Sequence, residues 1–190
     1  MCGIAGVVRH QSPVDEVTIK RMCDAMFHRG PDHGGMVVDH QSGISVGMGS
    51  RRLSIIDLSE DGAMPMYNET GDIWIVYNGE LYNHAELRPQ LIAKGHIYRS
   101  KTDTETIIHA YEEYGTGCLS QFNGMFAFAL YDRPQRRLIL ARDPMGIKPL
   151  YYSWDGQTLV FSSELSSLAP SRTGHLAQPL SVNPVALSLY

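Results

Sequence analysis

The sequence predicts an α+β fold, on three observations. Short apolar runs rich in β-branched residues open the chain and recur along it. Two helical patterns with their own start and stop signals lie together in the middle, between residues 83 and 115. After Leu119 the character turns to β, with hairpin signals between the runs. At 190 residues the chain suits one domain with a real core.

Ile4 to Val8 reads as a buried strand, with Gly3 and Gly6 allowing close backbone approach. From Asp15 to Phe27, Val17, Met22, Ala25 and Met26 recur at roughly helical spacing, and Gly30 with Pro31 stops the pattern. His28 to Gly35 is dense in backbone breakers and reads as a loop. Ile44 to Ile56 is a strand region holding Arg51 and Arg52, which as neighbours on a strand point to opposite faces, so at most one enters a given site. Leu58 to Tyr67 reads as loop, punctuated by Gly62 and Pro65.

Ile73 to Tyr77 is another apolar strand, running into Asn78-Gly79-Glu80. Asn-Gly marks a hairpin turn; the alternative is a side-chain amide and an adjacent backbone N–H forming an oxyanion hole, and on both readings the backbone turns sharply. Asn83 with Glu86 opens a helix whose apolar stripe is Leu87, Leu91 and Ile92, ended by Gly95. Thr102 with Glu105 opens a second, Thr104 to Tyr114, with Ile107, Ile108 and Tyr111 facing inward. Asp103 in its first turn favours the helix dipole whether or not it binds anything.

Met125 to Tyr131 and Leu138 to Arg142 are strands about a turn containing Pro134, and Leu150 to Trp154 and Thr158 to Ser162 flank Asp155-Gly156, a hairpin signal. Arg142 to Pro149 is a rigid loop, read as architecture. Glu164 to Leu168 is a short helix. From Ala169 onward periodicity is lost, and 169–190 reads as a tail or linker after a 1–168 domain.

Composition narrows the function classes. Hydrophobic residues at 43% and charged ones at 19% are a globular balance, while a net charge of −4 offers no footprint for nucleic acid or an anionic membrane, which leaves a small-molecule ligand. Three cysteines, Cys2, Cys23 and Cys118, show no metal spacing, and eight histidines show no HExxH, so no metal site is expected and a reducing cytoplasm fits. No apolar run is long enough to cross a bilayer. No basic and apolar leader precedes Cys2, so the mature N-terminus is expected to arise by methionine removal.

That removal would give Cys2 a free α-amine beside its thiol. With a thiol pKa of roughly 8.5 and an α-amine near 7.7 to 8.0, the neutral amine takes the thiol proton at little cost. An amide nitrogen cannot. A cysteine in this position is otherwise a small apolar residue starting a buried strand.

Cys2-Gly3-Ile4, His28-Arg29-Gly30-Pro31-Asp32, Arg52-Leu53-Ser54-Ile55, Tyr77-Asn78-Gly79-Glu80 with Tyr82-Asn83, Gly124-Met125-Phe126-Ala127-Phe128, and Arg142-Asp143 through Tyr151 occur in one order along residues 1–168. Together they resemble the glutaminase domain of glutamine-dependent asparagine synthetase, a class II glutamine amidotransferase of the N-terminal-nucleophile hydrolase superfamily. Sister amidotransferases share the Cys-Gly-Ile start but typically place another residue where Pro31 stands. The resemblance implies a four-layer αββα sandwich of two mostly antiparallel sheets, with the site at the end of the sandwich.

It also implies roles. Cys2 is the nucleophile toward L-glutamine; the Asn78 amide and Gly79 N–H hold the oxyanion; Arg52 grips the α-carboxylate; Glu80 and Asp103 meet the α-ammonium; the backbone of Leu53, Ser54, Ile55 and Ile56 lines the pocket. No cofactor is implied for this chain, because ATP and Mg belong to the synthetase domain that would accept the ammonia; a homodimer is left open. Competing readings are a module that holds glutamine without turning it over, because Met1 is retained or a partner domain is needed, and a purely structural domain.

Overall fold

A computed structural model of the chain describes residues 2–53 and 62–168, together with Pro184. The expectations for Ser54, Ile55 and Ile56 and for the 169–190 tail fall outside those residues, Pro184 apart.

Nine strands and four α-helices are described: β1 Gly3–His10, α1 Glu16–Asp24, β2 His33–Gln41, β3 Ile44–Arg52, β4 Met66–Tyr67, β5 Ile73–Leu81, α2 His84–Ala93, α3 Asp103–Tyr114, β6 Gly124–Asp132, β7 Arg137–Arg142, β8 Tyr151–Trp154, β9 Thr158–Ser162 and α4 Leu165–Leu168. They form two sheets, ordered β2-β3-β1-β9-β8 and β4-β5-β6-β7. Every described ladder is antiparallel.

Three hydrophobic clusters mark three interfaces, which is what four layers require. Ile19, Met22 and Cys23 of α1 pack with Ala5, Val7 and Val160 on one face of the first sheet. Ile4, Val46 and Met48 from that sheet's other face meet Trp74, Val76, Ala129 and Tyr131 of the second. The far face of the second sheet, with Ile75, Tyr77 and Phe128, is covered by Leu87 and Leu91 of α2 and Ile107 and Ile108 of α3. The αββα sandwich is therefore present.

Several local expectations change. Val17 is 56% exposed; it lies about 200° around the helix from Ile19, and the buried stripe is Thr18, Ile19, Met22 and Cys23. Ile92 is likewise half exposed, leaving Leu87 and Leu91 as the α2 stripe. Asp15 caps α1 by accepting from the Thr18 N–H at 2.6 Å, whereas neither Asn83 nor Thr102 caps its own helix. Asn83 instead spans to Gln121 and Asn123, and Glu105 reaches back to the Arg99 and Ser100 N–H groups at 2.7 Å each. The loop expected at His28 to Gly35 becomes strand from His33, and β2 pairs with β3 along its whole length. Glycines and polar residues on an edge strand mask the alternation that would reveal it.

The largest correction concerns Asn78-Gly79. The backbone does not turn there: β5 runs on to Leu81, with Asn78 opposite Ala127 and Gly79 opposite Phe126. Glycine is required for space, since a Cβ at Gly79 would lie 2.7 Å from the Phe126 Cα.

Candidate active site

One cavity of about 140 Å³ opens where β1 and α3 begin and β3 and β5 end, on the scale of a ~150 Å³ cavity that accepts benzene. Cys2, Arg52, Leu53, Asn78, Gly79, Glu80 and Asp103 all line it. Those are all of the expected site residues that the structure describes. They come from four separated segments of sequence, so local spacing did not bring them together.

Cys2 sits immediately before β1, the central strand of its sheet, and is held from both sides. Its carbonyl accepts from Arg29 Nε at 3.0 Å, and the thiol donates to the Leu53 carbonyl at 3.8 Å. Arg29 is braced in turn by Glu164, whose Oε1 is 3.1 Å from Arg29 Nη1 and 2.9 Å from His28 Nε2. Burial works to raise the Glu164 carboxyl, but Arg29, His28 and Ser166 hold it below its usual range, so it remains an anion under Arg29. The other thiols are unsuited to chemistry: burial pushes Cys23 up to about 12 and Cys118 up to about 11.

Strand parity aims the two donors of β5. The Tyr77 N–H meets Met64 Sδ at 3.2 Å and the Leu81 N–H meets Asp103 Oδ2 at 2.7 Å, so both point away from β6. The Tyr82 N–H points the other way, to the Asn123 carbonyl. N–H direction alternates along a strand, which places the Gly79 N–H on the open edge between Tyr77 and Leu81, where Met64 and Asp103 also line the cavity. Asn78 is 2% exposed. Its Nδ2 is a buried donor with no hydrogen-bond partner among the described residues, and such a group is costly unless something else fills its need.

Arg51 and Arg52 do point to opposite faces. Arg51 pairs with Asp24 of α1, while Arg52 is 8% exposed and lies against Gly62 and Thr102 at the cavity. Asp103, in the first turn of α3, also reaches across to β5. Its Oδ2 accepts from the Tyr77 hydroxyl and the Leu81 N–H, both at 2.7 Å, which leaves Oδ1 outside those bonds. Burial and the neighbouring Asp103 carboxylate push the Tyr77 phenol above its usual range, so it stays a donor.

A profile of the glutamine amidotransferase domain matches residues 1–189. This chain belongs to that family. It is 43% identical to Bacillus subtilis asparagine synthetase [glutamine-hydrolyzing] 1 over 172 residues, 88% of this chain and 26% of that protein. A rice asparagine synthetase [glutamine-hydrolyzing] 2 is 39% identical over 173 residues, 89% of this chain and 28% of the other. The chain thus spans less than a third of these relatives and is homologous to their glutaminase part. In fold it matches the Bacillus subtilis glutamine phosphoribosylpyrophosphate amidotransferase, with a TM-score of 0.74 at 20% identity over 91% of this chain and 44% of that one. That likeness shows the fold, the two-sheet αββα sandwich.

The amidotransferase site contains residues that the sequence reading passed over. Arg29 stood within a loop read as a turn, and its role appears only once Glu164 folds against it, 135 residues away. Lys148 also lines the cavity and is 6% exposed. It is delivered by the 142–149 loop, which does prove architectural: Asp143 accepts from the N–H groups of Phe126, Ile147 and Lys148 at 3.2, 2.9 and 3.0 Å. Burial works to raise Asp143, but those three donors and Arg142 hold it below its ordinary range.

A depressed folded pKa stabilises above the unfolded value, near 4, and that stability drains away as pH falls through the folded value. Asp143→Asn is expected to lower Tm clearly at neutral pH. The gap to the parent narrows as pH falls below the unfolded value, where the unfolded carboxylate takes up its proton before the folded one does. Thermal melts across pH check this; a gap that stays constant would deny Asp143 that role.

Proposed function

We propose that this amidotransferase domain hydrolyses L-glutamine to glutamate and ammonia through a thioester on Cys2. The observation that carries the proposal is the convergence of a half-buried thiol, an unsatisfied buried amide donor, a buried guanidinium and a buried carboxylate on one small cavity. With Met1 removed, the Cys2 α-amine takes the thiol proton and the sulfur attacks the side-chain amide carbon. Negative charge on the amide oxygen falls to Asn78 Nδ2 and the Gly79 N–H. The amine then gives its proton to the leaving nitrogen as the C–N bond breaks and ammonia departs. Water adds to the thioester by the same route, and breaking the C–S bond frees glutamate and the thiol.

Arg52 suits the substrate carboxylate, because its planar fork presents two parallel donors. Asp103 Oδ1 and the exposed Glu80 suit the α-ammonium. The backbone from Leu53 through Ser54, Ile55 and Ile56 would complete the wall. Paired charges of both signs select a free amino acid, and asparagine, one methylene shorter, would hold its amide carbon away from the sulfur.

The rest of the assignment follows the relatives. The ammonia acceptor would be an ATP- and Mg-using synthetase domain reached through the 169–190 segment, in the cytoplasm. Among the described residues, no helix is long and apolar enough to cross a membrane. No cofactor is required by the Cys2 chemistry itself.

The test is product release by the purified chain after intact mass has shown loss of Met1. Glutamate and ammonia should appear in equal amounts. A mature chain that neither hydrolyses nor binds glutamine defeats the proposal. Arg52→Ala is expected to raise KM for glutamine ten- to hundredfold, the loss of a charged hydrogen bond of about 1.5–3 kcal/mol, with a smaller change in kcat. Arg52→Lys should recover only part of the affinity. Initial-rate kinetics on both variants decide it.

A further inference from the structure

We infer that the corner between α2 and α3 is a divalent transition-metal site formed by His96, His109 and Glu112, separate from the glutamine cavity. One donor atom from each of the three lies within 4.8 Å of the other two. Glu112 Oε2 is central, 2.9 Å from His109 Nδ1 and 3.5 Å from His96 Nδ1. Four-coordinate zinc with bonds of about 2.0–2.1 Å separates its ligand atoms by about 3.3 Å, and the two distances bracket that value. Asn68 Nδ2 donates to the other oxygen, Oε1, at 2.8 Å, which fixes the face that Glu112 presents.

The outer nitrogens carry the argument further. A metal-bound imidazole nearly always turns its second nitrogen toward a carboxylate, carbonyl or water. Here both do. His96 Nε2 lies 3.5 Å from Glu113 Oε2, and His109 Nε2 lies 3.8 Å from both Glu69 Oε1 and Glu105 Oε1. His109 is 1% exposed and its Nε2 has no hydrogen-bond partner among the described residues. An ion at the Nδ1 side would fix the tautomer with a proton on Nε2, drawing it toward Glu105 or Glu69. The two ring centroids lie 4.8 Å apart, so both imidazoles border the same small volume.

Two imidazoles and a carboxylate favour zinc, nickel or cobalt over magnesium or calcium. The site departs from the sequence expectation of no metal. His109 and Glu112 are three apart on one helix face, but His96 arrives from the preceding turn, so no contiguous motif announces it. Bound metal would fasten that turn to α3, whose first residue is Asp103.

The experiment uses the full chain with Cys2→Ala in every arm, which removes a competing thiol. Stripped protein is titrated with zinc chloride alone by calorimetry, and with cobalt(II) for the visible bands of a four-coordinate site. One equivalent per chain and a rise in Tm with added metal are expected. His96→Ala and Glu112→Gln should each weaken binding at least tenfold, and Glu105→Gln about 10- to 100-fold, with circular dichroism of the stripped variants unchanged. Absence of stoichiometric uptake overturns the inference, leaving a metal-free ion-pair cluster. Uptake undiminished in both His96→Ala and Glu112→Gln overturns it as well, and using two ligand variants guards against one of them failing to fold.

Discussion

Replacing Cys2 by alanine is expected to abolish glutamine hydrolysis while leaving the fold and glutamine binding nearly intact. Removing the nucleophile of a hydrolase lowers kcat by up to about 10⁶-fold, and what survives comes from binding and oxyanion stabilisation. The thiol is half-buried at the cavity, and its one described hydrogen bond is a long one to Leu53, so little packing is lost with it. Glutamate release measured beside calorimetric glutamine binding separates chemistry from collapse. Full turnover in Cys2→Ala would refute the thioester route, because Cys23 and Cys118 are buried elsewhere with raised pKa values and could not substitute.

Asn78→Ala carries the second large effect. Loss of one oxyanion donor costs about 2.7–4 kcal/mol, or 10²–10³ in kcat. KM should move little, since the charge that Asn78 meets exists only while the carbonyl is tetrahedral. Stability should not fall, and a slight gain is expected: the buried Nδ2 has no described partner in the resting protein, so its removal takes away an unsatisfied group rather than a bond. Steady-state kinetics and a thermal melt on the same preparation make the comparison. Equal losses in affinity and rate, or a strongly lowered Tm, would make Asn78 structural instead.

Much of this was legible before folding, and the reasons differ by element. The four layers are implied by the family resemblance; periodicity declares only the buried face of α3, through Ile107, Ile108 and Tyr111, while the unbroken apolar runs of β5 and β6 mark strands covered on both faces. The position of Cys2 permits the chemistry, because base and nucleophile would share a residue once Met1 is lost, but a cysteine there can equally start a buried strand, and it is the motifs further along residues 1–168 that favour catalysis. The direction of the chain at Asn78-Gly79 was misread because glycine supplies two things, conformational freedom and absence of a side chain. The sequence does not say which one is in use; only the approach of Phe126 does. Edge strand β2 was hidden for a related reason, with Gly34 and Gly35 standing where an alternating pattern would need side chains. Arg29 on Glu164 and His96 beside His109 are encounters between distant segments, and no window on the chain contains both partners.

Asp103 bonds β5 at Tyr77 and again at Leu81, one on each side of Gly79, so a single carboxylate clamps the strand that carries both proposed oxyanion donors. On the proposed assignment, recognition of the amino group and stabilisation of the reacting carbonyl are consequently parts of one rigid body. Attempts to retune this domain toward other amides would do better to vary the wall around Arg52 and Leu53, since any change at Asp103 moves the catalytic strand along with the specificity it was meant to alter.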